Sequence, residues 1–267
     1  MKRRRFKTRL TQLLCAGWKC ILGAIAFYTI LPVPQFMTPS FHYVSRLAPA
    51  MGLLIGGLLW ALNIGFISIG LPSLTASALS VVGWMMITGG LHLDGAMDAA
   101  DGLAVMDPER RLEVMADSRT GAFGVMMAVA IVILKIVALS DITLNKGWAI
   151  LLAATWGRWG QQIAIACYPY LKPTGKGAFH KLALPSIWAC LPSLLALAGI
   201  HVFWAAASPD VRMLSGSTFL IGGAIASMTG YWFHHKLGGH TGDTYGAVVE
   251  ITETVFLLSL VGLDGLA

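Results

Sequence analysis

Apolar runs close to 20 residues long recur along this chain. Each matches the roughly 30 Å of hydrocarbon that a helix crosses at about 1.5 Å per residue. The pattern predicts spanning helices over 47–70, 73–91, 122–139, 148–167, 186–206, 218–232 and 245–262. The first apolar run, 13–31, is different, because it contains Lys19 and ends in Leu31-Pro32-Val33-Pro34. A charge and two prolines predict an element that lies in the interface or re-enters. The expected fold is all-α: a polytopic membrane helix bundle of about six to eight helices, with an interfacial or re-entrant N-terminal helix. Residues 1–267 form a single integral membrane domain in this reading.

Composition strengthens that picture. Hydrophobic residues make up 56% of the chain and charged residues 12%, against roughly 25% charged in soluble domains; the mean hydropathy is +0.71. The 30 glycines fall mostly inside apolar stretches, where small residues let helices approach closely in lipid. The net charge of +6 is local, since Lys2, Arg3, Arg4, Arg5, Lys7 and Arg9 precede the first apolar run. Nucleic acid is the weaker explanation of that surplus; a basic patch beside a membrane segment normally faces the cytoplasm and anionic lipid. No small-residue cleavage site follows Pro32 and Pro34, which argues against a secretory signal peptide.

Orientation follows from counting charges. If the first run does not cross, then 92–121 (Arg110, Arg111, Arg119), 168–184 (Lys172, Lys176, Lys181) and 234–244 (Lys236) all join the N-terminus on the cytoplasmic side. The opposite side keeps Lys146 and Arg212. Cys15, Cys20, Cys167 and Cys190 show no metal spacing and read as small hydrophobes. No repeat or low-complexity linker divides the chain, and a homo-oligomer is left open.

Three segments could carry chemistry. In 89–103, Asp94, Asp98 and Asp101 are spaced i, i+4, i+7, so a continuous helix projects all three carboxylates from one face. Stacked anions repel unless a cation lies between them, and magnesium typically takes one or two carboxylates plus substrate phosphates. The bland alternative is a solvated helix end stabilised by the helix dipole. In 238–253, Asp243 and Glu250 share a face with Gly246 and Ala247, while Glu253 lies a turn deeper in an apolar run. Intramembrane acids usually face the bundle interior and mark a site. The glycines before and at Gly242 could bring backbone N–H groups to a phosphate, although such turns alone say little. In 113–124, Asp117 and Arg119 form either a surface ion pair of small value or a phosphate clamp. Lys135 and Arg158 lie inside apolar stretches; they are candidates for an anionic ligand, with snorkelling to the interface as the alternative. His92, His180, His234, His235 and His240 show no zinc spacing, and no nucleophile elbow, Walker A or dinucleotide fingerprint occurs.

These residues carry a likeness. Leu31-Pro32-Val33-Pro34, the G-G-L-H-L-D-G stretch opening 89–103, 117–124, and T-G-D-x-x-G-A at 241–247 on through Glu250 and Glu253 resemble the cobalamin synthase family, adenosylcobinamide-GDP ribazoletransferase, in order along nearly the whole chain. The resemblance implies a multi-pass enzyme of a prokaryotic cytoplasmic (inner) membrane with its active site facing the cytoplasm. It would join adenosylcobinamide-GDP to α-ribazole or its 5′-phosphate, release GMP and use magnesium, in the last assembly step of adenosylcobalamin. Asp94, Asp98 and Asp101 would then hold the metal, with Asp98 essential for turnover. Asp243, Glu250 or Glu253 would complete the shell or accept the hydroxyl proton. His92, Arg119, Lys135, Arg158 and Gly242 would hold substrate.

Two other readings compete. Asp98-Ala99-Ala100-Asp101-Gly102 begins like the D-x-x-D-G pattern of CDP-alcohol phosphotransferases, but Val105 stands where an Arg is expected and the later aspartate pair does not follow. An ion-coupled transporter would use Asp94, Glu250 and Glu253 as midplane ligands, yet no inverted repeat is apparent.

Overall fold

The computed structural model describes residues 16–264 apart from 35, 37, 144, 173–176 and 209–211. The basic N-terminal cluster, Cys15 and Lys176 lie outside the described residues. In chain order the helices are α1 (Ala16–Tyr28), α2 (Ala48–Ser68), α3 (Ser73–Thr88), α4 (Leu91–Ala104), α5 (Arg111–Val114), α6 (Ala122–Asp141), α7 (Lys146–Cys167), α8 (Ala178–Ala183), α9 (Leu191–Ala207), α10 (Arg212–Leu237) and α11 (Gly242–Asp264). No strand occurs among the described residues. The chain is an all-α polytopic membrane helix bundle.

Among the described residues four stretches are long and apolar enough to cross a membrane unaided: Val44–Ser68, Ala122–Asp141, Ile187–Ala207 and Gly242–Leu263. The count rises to five if α3 and α4, bent by 90° at Gly89-Gly90, make one broken span. Both glycines there adopt positive φ, 61° and 70°, a conformation that a side chain would oppose. The described part of α1 is a short apolar helix whose 13 residues rise about 20 Å. It docks through Ala24 and Tyr28 onto Val44, Ala48 and Met51.

Helix α7 is the hub. It is buried almost continuously from Ala149 to Ala166, packing against α2, α10 and α11. On the α2 side, Gly52 and Gly56 lie directly against the backbone of Ala154 and Leu151. Its polar side chains point inward: Gln162 Nε2 donates to the carbonyls of Ser45 and Arg46 at 3.2 and 3.1 Å. This explains why α7 is less apolar than α2, α6 and α9, since protein and not lipid surrounds it. Its C-terminus is capped by Lys181, whose Nζ donates to the carbonyls of Ile165, Ala166 and Tyr168.

The polar segments after α3, α7 and α10 gather at one end. Arg111 Nη1 donates to the Lys236 carbonyl at 3.2 Å, and Leu171 N–H donates to the His240 carbonyl at 2.8 Å. The His240 N–H in turn donates to Pro169 at 2.9 Å. At the opposite end, Lys146 Nζ donates to Ser73 Oγ, which donates to the Ser140 carbonyl. Among the described residues, 92–121, 168–172, 177–184 and 234–244 therefore gather as the charge pattern leads one to expect.

Candidate active site

The site is built where α4 crosses the start of α11. Gly95 faces the backbone of Asp243 so closely that a Cβ would stand 2.6 Å from its carbonyl oxygen. Gly246 faces His92 in the same way, at 2.9 Å from that carbonyl. Two glycines thus let the helices touch backbone to backbone, with α4 running back along α11. Because α4 is continuous from Leu91 to Ala104, Asp94 and Asp98 project at the level of Asp243.

The charges there are unequal in their commitments. Asp94 is exposed and Asp98 half-buried, and Asp94, Asp101 and Asp243 all lie within electrostatic reach of Asp98, as does Lys172. Asp243 Oδ2 accepts from Lys172 Nζ at 3.3 Å and from Thr241 Oγ1 at 3.1 Å. Thr241 and Thr244 cap α11 reciprocally, each hydroxyl accepting the other's N–H at 3.3 and 2.8 Å. Gly242 opens the helix and is exposed beside this cluster.

Asp101 is turned elsewhere. Its two oxygens accept the N–H groups of Gly121 and Gly124 at 2.7 and 2.8 Å. The carboxylate thereby caps the N-terminus of α6 from a neighbouring helix. Asp101, expected from the sequence as a metal ligand, therefore accepts backbone donors that would otherwise be orphaned.

Glu250, Glu253, Lys135 and Arg158 form a separate, deeper group. Lys135 Nζ bonds Glu250 at 2.6 Å and also Glu253, and Glu253 bonds Arg158. None of the four side chains is more than 8% exposed. Lys135 also sits over the Trp84 ring, 4.5 Å from its centroid. Along α11 the two acids are seven and ten residues beyond Asp243, a rise of about 10 and 15 Å. In this group two cations stand against two anions, while Arg158 Nε and Nη2 are buried without a hydrogen-bond partner.

His92 is buried and stacked on Tyr28, ring centroids 6.0 Å apart, inside the bundle and not on the acidic face. Arg119 is an exposed surface partner of Asp117 at 2.6 Å. The guanidinium holds the Asp117 carboxyl down at about 2. Sequence reasoning counted Lys172 only as a loop charge and did not single out Thr241. The available signal was that 168–184 falls on the same side as the acids.

The donors of the upper cluster are hard carboxylate oxygens on Asp94, Asp98 and Asp243. Among the described residues, no three His, Cys, Asp or Glu side chains stand close enough to form a metal cage. Such a set suits a cation that takes one or two carboxylates and completes its shell from phosphate and water, as magnesium does.

Fold and site together define a membrane helix bundle with an acidic, lysine-tipped face at one end. The chain belongs to the family described as cobalamin-5-phosphate synthase, whose model matches residues 20–261. It is similar to the adenosylcobinamide-GDP ribazoletransferase of Trichormus variabilis, 56% identical over 242 residues that cover 90% of this chain and 95% of that protein. The proteins of the same name from Synechococcus sp. and Synechocystis sp. are 47% and 44% identical, covering 91% of this chain and 96% and 95% of theirs. No solved structure matches the chain.

Proposed function

We propose that this chain is an adenosylcobinamide-GDP ribazoletransferase that works with magnesium in a prokaryotic cytoplasmic membrane, its acidic end facing the cytoplasm. The family membership and the names of its relatives support the activity. The orientation rests on the lysines and arginines gathered at that end. The observation that carries the site is the glycine-on-backbone contact of α4 with α11, which assembles Asp94, Asp98, Asp243 and Lys172 from distant parts of the sequence.

In this reading a ribose hydroxyl of α-ribazole, or of its 5′-phosphate, attacks the phosphorus attached to cobinamide. A new P–O bond forms, the diphosphate P–O bond breaks, and GMP leaves with the electron pair. Asp243, oriented by Thr241 and Lys172, accepts the hydroxyl proton. Lys172 steadies the charge gathering on the diphosphate. Asp94 and Asp98 would hold magnesium, which supplies charge neutralisation for the phosphate oxygens when bound.

The test incubates purified protein with adenosylcobinamide-GDP, α-ribazole and magnesium and follows GMP. Asp98→Asn is expected to fold normally and abolish turnover. A folded Asp98→Asn protein with normal activity overturns the site assignment, and an inactive wild type overturns the function.

A further inference from the structure

A groove of about 410 Å³ runs down the outside of the bundle between α10 and α11, lined by Ile225, Met228, Thr229, Trp232, Ile251 and Val255. Its walls are outward-facing: Met228, Trp232 and Val255 are 69%, 45% and 41% exposed. Val255 belongs to a stretch long and apolar enough to cross a membrane. Ile225, Met228, Trp232 and Lys236 follow one another at steps of three and four along α10, so they form one stripe of that helix. The stripe is apolar for about 10 Å from Ile225 to Trp232 and then ends in a cation.

Lys236 Nζ lies 6.0 Å from the centroid of the Trp232 ring. Its carbonyl is held by Arg111, whose guanidinium is anchored to the Val105 carbonyl as well. Among the described residues neither Lys236 nor Arg111 belongs to an ion pair. His235 adds a third basic side chain at this exposed tip, stacked on Tyr231. An apolar trough, an indole at its mouth and uncompensated cations directly above match a phospholipid in three respects. The trough takes an acyl chain, the indole sits at the glycerol level, and the cations meet an anionic phosphate.

We propose that this groove is a selective site for one anionic phospholipid of the leaflet at the polar end. A zwitterionic lipid fills the trough equally well but leaves Lys236 and Arg111 with less charge to neutralise. The site does not draw on the transferase reading, and its test does not measure that activity.

The full-length protein, purified in detergent, is offered equal amounts of phosphatidylglycerol and phosphatidylcholine with identical acyl chains, and the lipid retained is read by native mass spectrometry. The expected preference for phosphatidylglycerol is roughly tenfold. It is lost in Lys236→Ala, kept in Lys236→Arg and reduced in Arg111→Gln. Phosphatidylglycerol with brominated acyl chains should quench a component of fluorescence that is missing from Trp232→Phe. Equal retention of the two lipids, or an undiminished preference in Lys236→Ala, overturns the proposal. So does a Met228→Cys protein that cross-links to a second copy through this face.

Discussion

Replacing Lys135 with methionine separates a structural from a substrate-binding role for the buried charges. In the folded protein Lys135 is the common partner of Glu250 and Glu253, and Arg158 is the second partner of Glu253. Lys135→Met keeps much of the side-chain volume but leaves two buried carboxylates facing one guanidinium. Breaking a buried ion pair on one side costs about 3–5 kcal/mol, since a charge is stranded away from water. For a chain of this size each kcal/mol moves the melting temperature by about 2–4 °C, so the loss should be on the order of 10 °C. Adding Glu250→Gln removes the stranded charge and leaves Glu253 paired with Arg158 alone, so the double variant should recover most of that stability. Thermal unfolding of both proteins in detergent, followed by turnover of the stable double variant, reads the outcome. A double variant that is stable and active fits mutual neutralisation. One that is stable yet inactive would show that Lys135 or Glu250 acts on substrate and would refute the reasoning given for this group.

Asp101→Ala should lower stability by about 2 kcal/mol through loss of the α6 cap, and Asp101→Asn, which keeps one acceptor oxygen, by less. If Asp101→Asn instead abolishes activity at unchanged stability, the carboxylate is acting on the reaction. Gly95→Val places methyl groups where the Asp243 carbonyl already sits; overpacking of this kind costs about 1–3 kcal/mol. It should pry α4 from α11 and depress GMP release although Gly95 carries no functional group, whereas full activity would show that the contact does not position the acids. His240, buried in the turn between α10 and α11, is pushed down from 6.5 to about 4 by desolvation. Between those values the unfolded chain binds a proton that the folded chain refuses, so stability falls as pH drops from 6.5 towards 4, by about 3 kcal/mol in all. His240→Gln should flatten that slope in melting curves, and an unchanged slope would refute the assignment.

Much of the architecture could be read from spacing alone. The helices at 48–68, 122–141 and 146–167 lie within a few residues of the apolar runs that predict them, because in a membrane the run length itself encodes the element. The common face of Asp94, Asp98 and Asp101 is likewise a property of helical periodicity. Partnerships across helices were not legible. Nothing local in the sequence says that Asp101 meets Gly121 and Gly124, or that Lys135 finds Glu250 115 positions away. Those pairings depend on how α4, α6 and α11 pack, and they give Asp101, Lys135, Arg158, Glu250 and Glu253 partners that spacing along the chain does not reveal. His92 reads as polar and available in the sequence, but α4 rolls it inward because Gly246 leaves room for the two backbones to meet.

The Asp101 carboxylate also has a topological effect. By holding the start of α6 against the tail of α4, it closes the intervening stretch of 102–120 into a loop whose two ends are fixed independently of what lies between them. Within it Met115 is buried against Gly102 and Arg111 holds the Lys236 carbonyl, whereas 106–110 are exposed, which marks that short turn as the natural place to graft a purification handle or a fiducial for imaging.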